Sequence, residues 1–240
     1  MDIGKAFGFV FEDEKWLSKV LIGGLLLFVP IFGQFVVYGY MLKVAQNVAQ
    51  GNPRPLPEWT DFGDLFIRGL YYIVINIVYF IPLIVVYCAY YIVLIGAAAS
   101  SGNSDTSSGL TALNAIGGLF ACVLGILILV LAIVCSMLSY AGHARYVATN
   151  SLSEALKVGE VFKAVRTRPA PWLVLLLVGL LAGIVGGLGF IACGVGVLFT
   201  GFYAVCIQGH ALGQTVVSQG LLGNSDYVAP VTPIPPTTYQ

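Results

Sequence analysis

Long apolar runs separated by short polar islands dominate the chain. The most informative island, residues 51–70 (GNPRPLPEWTDFGDLFIRGL), lies between two such runs. A segment so placed belongs where a membrane meets water. Pro53, Pro55 and Pro57 force an extended approach and forbid helix. Pro57 also suits a first helical turn, so the spacing predicts a short helix starting there. Trp59, Phe62, Phe66 and Leu70 would share one face, with Glu58, Asp61 and Arg68 on another and Asp64 four residues before Arg68. Such a helix would lie in the headgroup plane, with Trp59 and Phe62 as anchors.

Two further stretches carry the same pattern. In residues 3–15, Ile3, Phe7, Val10 and Phe11 fall at helical spacing, followed by Trp16 as an interface anchor. In residues 151–168, Ser151 and Glu154 form a capping box, and Ala155, Val158, Phe162 and Val165 share a face. Pro169 and Pro171 stop that helix, and Trp172 reads as the anchor of the next span.

The apolar runs predict membrane segments. Residues 17–49 are interrupted by Pro30-Ile-Phe-Gly33, which allows either one kinked span over 20–41 or a tight hairpin. The hairpin's first arm, residues 17–29, is only about 20 Å of helix against a hydrocarbon core of about 30 Å. It would be re-entrant or would thin the bilayer. All eleven Lys and Arg lie in residues 5–19, 43–68 and 145–168. The hairpin threading puts every one on the same side, which the positive-inside rule favours.

In residues 65–99, Tyr71 and Tyr72 stand about 28 Å of helix before Tyr90 and Tyr91, as two aromatic belts would. Asn76, Tyr79 and Pro82 fall between the belts. Pro82 predicts a kink, and Asn76 a hydrogen bond to a neighbouring helix. A polar path lined by these three residues is the alternative. A Lys/Arg-free polar linker, residues 100–109, leads to the run 110–140, where Gly117, Ala121 and Gly125 make a small-xxx-small stripe. Gly179, Gly183 and Gly187 make another in the following run, which a glycine-rich bend separates from a last span over 195–217. The Pro-rich tail, residues 221–240, reads as disordered.

Three times the chain runs surface helix, descending span, ascending span, polar exit, giving pseudo-repeats 1–49, 50–148 and 149–220 within one transmembrane domain. At an offset of 156, Trp16-Leu17 matches Trp172-Leu173, Gly23 matches Gly179 and Gly33 matches Gly189; the exits Val48-Ala-Gln-Gly51 and Val217-Ser-Gln-Gly220 correspond only with an insertion in the third copy.

Composition narrows the function classes. Only 9% of residues are charged, far below a soluble domain, and mean hydropathy is +0.92. Equal counts of basic and acidic residues leave no nucleic-acid footprint. The acidic N-terminus does not read as a signal peptide. The five cysteines sit inside apolar runs without CxxC spacing and read as packing residues. His143 and His210 lack a third clustered ligand, so no metal or cofactor is expected. The glycine-rich bend lacks the strand and Lys-Ser/Thr of a phosphate loop. The apolar runs hold no ionisable pair of the kind that coupled transporters use.

A family resemblance lies in Gly23-Gly24, Val29-Pro-Ile-Phe-Gly33 and Gly39-Tyr40, then Leu56-Pro-Glu-Trp-Thr-Asp-Phe-Gly-Asp-Leu65 and Gly69-Leu70. These residues resemble the uncharacterised prokaryotic membrane family catalogued as domain of unknown function 4013, over roughly residues 5–220. The resemblance implies a multi-span membrane protein of bacteria or archaea and brings no activity or catalytic residues.

The expectation is therefore an all-α polytopic integral membrane protein. It would have about six membrane segments as three helical hairpins, with interfacial amphipathic helices. It would sit in a prokaryotic cell membrane with both termini cytoplasmic. The expected role is non-enzymatic, a structural or accessory subunit whose partners are the lipid bilayer and a second copy or another membrane-complex helix. The alternative is a carrier or channel for lipid or a small uncharged solute.

Overall fold

The computed structural model describes residues 2–101, 109–191 and 196–222, all helices and their connections, with no strand among the described residues. Stretches of four helices are long and apolar enough to cross a membrane: Phe62–Ile92, Val123–Thr149, Pro169–Ile191 and Gly196–Ser218.

The N-terminal stretch forms α1 (Ile3–Gly8) and a 3-10 turn, Phe9–Glu12. The break at Gly8 resets the helical phase, so Ala6, Phe9 and Val10 are buried while Ile3 and Phe11 face outward. The predicted continuous stripe is not formed.

The first apolar block is two helices, α2 (Trp16–Phe28) and α3 (Phe32–Ala49), joined through Val29, Pro30 and Ile31. Pro30 cannot continue the ladder. Gly33 lets the returning helix pack back, because a Cβ there would overlap the Leu26 carbonyl oxygen. The single kinked span is thus not what the chain adopts.

The polar island departs from expectation. No helix starts at Pro57; residues 52–58 are non-helical, and Leu56 is buried. Helix α4 (Phe62–Ser101) begins only after Asp61, whose Oδ1 accepts the Asp64 N–H at 3.0 Å. This side-chain cap is a stronger start signal than the proline upstream. Pro82 lies inside α4, which continues through it.

Helix α5 (Gly109–Thr149) leads to α6 (Leu152–Ala155) and α7 (Val158–Thr167). The surface helix predicted for 151–168 is interrupted between Ala155 and Val158. Ala155, Val161 and Val165 turn inward, Val158 and Phe162 outward. Ser151 makes no side-chain cap. Its hydroxyl meets that of Ser153 at 2.9 Å, while Glu154 is taken by basic partners. Helix α8 (Pro169–Leu188) runs into a 3-10 turn, Gly189–Ile191, and α9 is Gly196–Ser218.

Helix α3 has backbone-level contacts on two sides. A Cβ at Gly39 would overlap the Leu65 carbonyl, and one at Gly69 the Phe35 carbonyl, so α3 and α4 cross with no side chain between them. On the other flank, Gly209 of α9 fits against Met41 and Val44, and Gly213 against Ala45 and Val48. Both series rise together, so α3 and α9 run parallel. Their ends share one hydrogen-bond pattern. Gly51 N–H donates to Val48 O and Asn52 N–H to Asn47 O, while Gly220 N–H donates to Val217 O and Leu221 N–H to Val216 O. Gly51 and Gly220 both have positive φ, as a Schellman cap requires. Two buried clusters flank this seam, one around Val36, Tyr40, Leu56, Leu65 and Phe202, the other around Ile75, Tyr79, Trp172, Leu175 and Ile207.

Without a hydrophobic force between helices in lipid, such close approach is what holds them. Gly39→Ala should therefore lower the stability of the detergent-solubilised protein by about 1–3 kcal/mol. Gly183→Ala, where an added Cβ meets nothing, should leave the unfolding midpoint unchanged. Equal midpoints for the two variants would contradict the crossing.

Candidate functional site

The charged side chains that matter gather at the helix ends, in three knots. Lys19, on the first turns of α2, is only 4% exposed. Its ammonium donates to Asp13 Oδ2 at 2.8 Å and to the Leu56 carbonyl at 3.0 Å, with Glu58 Oε1 at 3.2 Å. Trp59 Nε1–H donates to the Lys19 carbonyl at 3.1 Å, and its ring stacks on Tyr40 at 4.3 Å. Tyr40 in turn donates to the Pro57 carbonyl, and Asn47 to that of Pro55. The proline strap is thereby laced onto α2 and α3. Around it, Arg54 pairs with Glu14 at 2.8 Å.

Burial alone would raise the Asp13 carboxyl. The Lys19 hydrogen bond, the Lys15 backbone N–H and the charges of Lys19 and Arg54 outweigh it and hold Asp13 below the ordinary carboxylate range.

Arg68 makes the second knot. It is 8% exposed, and its guanidinium spans three helices. Nε donates to Asp64 at 2.6 Å, one turn back on α4; Nη1 donates to Gln46 Oε1 on α3 at 3.1 Å and to Asn150 Oδ1 just past α5 at 3.2 Å. Here the ends of α3 and α5 border a cleft of about 460 Å³, lined by Gln46, Gln50, Thr149, Asn150 and Leu222. A cation among helix C-termini opposes their negative dipole ends.

The third knot is Arg145, which donates to the Glu154 carbonyl and carboxylate and pairs with Glu160; Lys157 pairs with Glu154 at 2.6 Å. The Lys157 hydrogen bond, aided by Arg145, holds Glu154 below its ordinary range, and the same contact raises Lys157.

Deeper along α4 and α5 lies an uncharged network. Asn76 Nδ2 donates to the Tyr72 carbonyl, and its Oδ1 accepts from Ser139 on α5 at 2.9 Å. His143 Nε2 lies 3.2 Å from that same carbonyl, and its ring stacks on Tyr72, which stacks on Tyr38. Tyr79 donates to the Ala155 carbonyl at 2.7 Å and tethers α6 to α4. Pro82 is on an exposed face. Asn76 and Tyr79 therefore join helices.

The remaining sequence-predicted positions divide. Trp16 is half-buried, edge-on to Phe11 at 5.0 Å, and Phe62 is partly exposed beside Trp59. Trp172 is not at a surface. It is 1% exposed, because it joins Val161 and Val165 of the preceding α7 in the same buried cluster. Gly179 lies beneath the Tyr140 hydroxyl and Gln208. A Cβ on Gly125, Gly183 or Gly187 would meet nothing, so none of these three packs helices within the chain. The surroundings of Gly117 and Ala121 lie outside the described residues, as do the linker 102–108 and the tail from residue 223.

Sequence reading passed over Lys19, Gly209 and Gly213. Gly209-xxx-Gly213 has the same spacing as the other stripes, whereas Lys19 six residues after Asp13 falls outside the three- and four-residue spacings of a helical ion pair and meets it only through the turn before α2.

Among the described residues, no three His, Cys, Asp or Glu side chains group as metal ligands. Four apolar helices of membrane-spanning length, with ion-paired ends and an uncharged interior network, are compatible with a helical membrane protein. Over residues 22–195 the chain matches the family described as Protein of unknown function (DUF4013), and it belongs to that family. No curated protein and no solved structure matches it.

Asp13→Ala removes the buried carboxylate of the pair, leaves Lys19 with Glu58 and the Leu56 carbonyl, and should cost about 2 kcal/mol at neutral pH. Because the folded Asp13 value is lowered, its contribution is present above about pH 3.8 and is lost as pH falls through that lowered value. Unfolding midpoints measured from pH 7 downward should converge for the two proteins in acid. Parallel curves would contradict the assignment.

Proposed function

We propose that the protein is a non-enzymatic integral membrane protein, a structural or accessory subunit that packs against a second copy or another membrane-complex helix. The observation that carries this reading is the division of its glycines. Gly39, Gly69, Gly209 and Gly213 are already filled by neighbouring backbone or side chains, whereas Gly125, Gly183 and Gly187 sit on outer helix faces where an added Cβ meets nothing. Gly183 and Gly187 are one helical turn apart, as close helix association in lipid requires.

The polar groups support a scaffold role as well. Lys19, Arg68 and Arg145 are spent on joining helix ends, and Asn76 and Tyr79 on interhelix hydrogen bonds. That use leaves the solute-path reading without a supporting contact. The same ends carry the basic residues, which fits a prokaryotic cell membrane with both termini cytoplasmic. The matched caps of α3 and α9, and the glycines at both hairpin turns, fit the pseudo-repeat organisation.

Extraction from native membrane in mild detergent tests the reading. The wild-type particle should be larger than one chain with its detergent, and Gly183→Leu should shrink it to that size without lowering the unfolding midpoint. A single-chain wild-type particle, or a large particle that Gly183→Leu leaves intact, would overturn it.

A further inference from the structure

The connection between α2 and α3 is built for hydrocarbon. Residues 20–33 contain no polar side chain. At the tip Phe28 is 76% and Ile31 74% exposed, with Val29 and Phe32 also exposed, so these side chains contribute little to the chain's own core. Ile31 has φ 65° and ψ −72°, and the Phe32 N–H donates to the Pro30 carbonyl at 2.8 Å. That is a γ-turn of the rare strained form, centred on a β-branched residue. Glycine or asparagine would adopt it more easily and would suit water. An exposed isoleucine there makes sense where the surroundings are apolar.

The backbone agrees. Non-helical chain survives in the hydrocarbon only if its polar groups are satisfied internally. The Val29 N–H donates to Leu26 O, Gly33 to Val29 O and Phe35 to Ile31 O, and Pro30 has no N–H to satisfy, which leaves the Ile31 N–H as the turn's one donor without an internal partner.

Length then fixes the depth. The 13 residues of α2 make about 20 Å of helix against a core of about 30 Å. The first arm is thus about 10 Å short of a crossing. Along it, Gly24 packs against Leu198 and Phe199 of α9 and Leu27 against Gly201.

We infer that the α2–α3 hairpin is re-entrant: its tip is covered by lipid acyl chains inside the bilayer and never reaches the water on the far side. This rests on the chain being membrane-embedded. The hairpin leaves a region beyond its tip that lipid from the far leaflet must fill, which favours a locally thinner bilayer.

Cysteine accessibility tests it in the full chain, with the five native cysteines of the parent as background. Ile31→Cys and, on the helical side of the turn, Phe28→Cys are compared with Ser104→Cys in the polar linker. A charged maleimide applied to intact cells and to inverted vesicles should label position 104 from one side. It should label neither 28 nor 31 from either side until detergent is added. In phosphatidylcholine vesicles, a bimane carried at 28 or 31 should be quenched most by lipid brominated within the acyl chain. Labelling of 28 or 31 from outside, or quenching strongest near the headgroup, would overturn the re-entrant hairpin and leave the membrane reading standing. Release of the wild-type chain by alkaline carbonate would overturn both.

Discussion

Backbone meeting backbone along α3 is the constraint on which the rest depends. Gly39 and Gly69 remove the side chains that would hold α3 and α4 apart, and Gly209 and Gly213 do the same for α9. In water, burial of apolar area could hold looser helices. In lipid the tails are as apolar as leucine, so contact distance decides. Once α3 is fixed between α4 and α9, α8 pairs with α9 and α5 with α4. The extended strap over residues 53–58 then has a surface to lie on.

The polar ends follow from that arrangement. Parallel packing of α3 and α9 brings like helix termini to one face, with the end of α5 beside them. Three such C-termini carry negative partial charge and unpaired carbonyls. Schellman caps at Gly51 and Gly220 satisfy some of these carbonyls internally. Arg68 supplies a cation between α3 and α5, and Arg145 ties α5 to α6 and α7. Lys19 does the same for the strap. Its burial is tolerable because two carboxylates and a carbonyl surround it.

Much of this was legible in the residues. Pro30 and Gly33 allow a kinked span or a tight return, the basic residues favour the return, and a tight return is formed. Asp64 four residues before Arg68 reads as a helical ion pair, and the pair is there at 2.6 Å. Other features were not legible, for specific reasons. A tryptophan after Pro-Ala-Pro looks the same whether it anchors an interface or fills a core; only the fold-back of α7 buries Trp172. Glycine spacing shows that a helix has a small face but not what lies opposite it. Gly179 meets Tyr140, whereas Gly183, one turn on, meets nothing in the chain. Pro57 could begin a helix, yet Asp61 offered the N–H groups of α4 a better cap. Such competition between local signals is settled by packing partners distant in sequence.

The central claim is tested most directly by joining α3 to α9. Built onto Gly209, a Cβ lies 3.2 Å from that of Val44, close to disulfide range. With Cys206 replaced by alanine, the pair Val44→Cys and Gly209→Cys should cross-link within one chain on mild oxidation in native membranes. The account predicts that proteolysis between α3 and α9 then leaves the two fragments joined until reductant is added. Fragments that separate without reductant, with both cysteines still alkylatable, would contradict the parallel backbone contact.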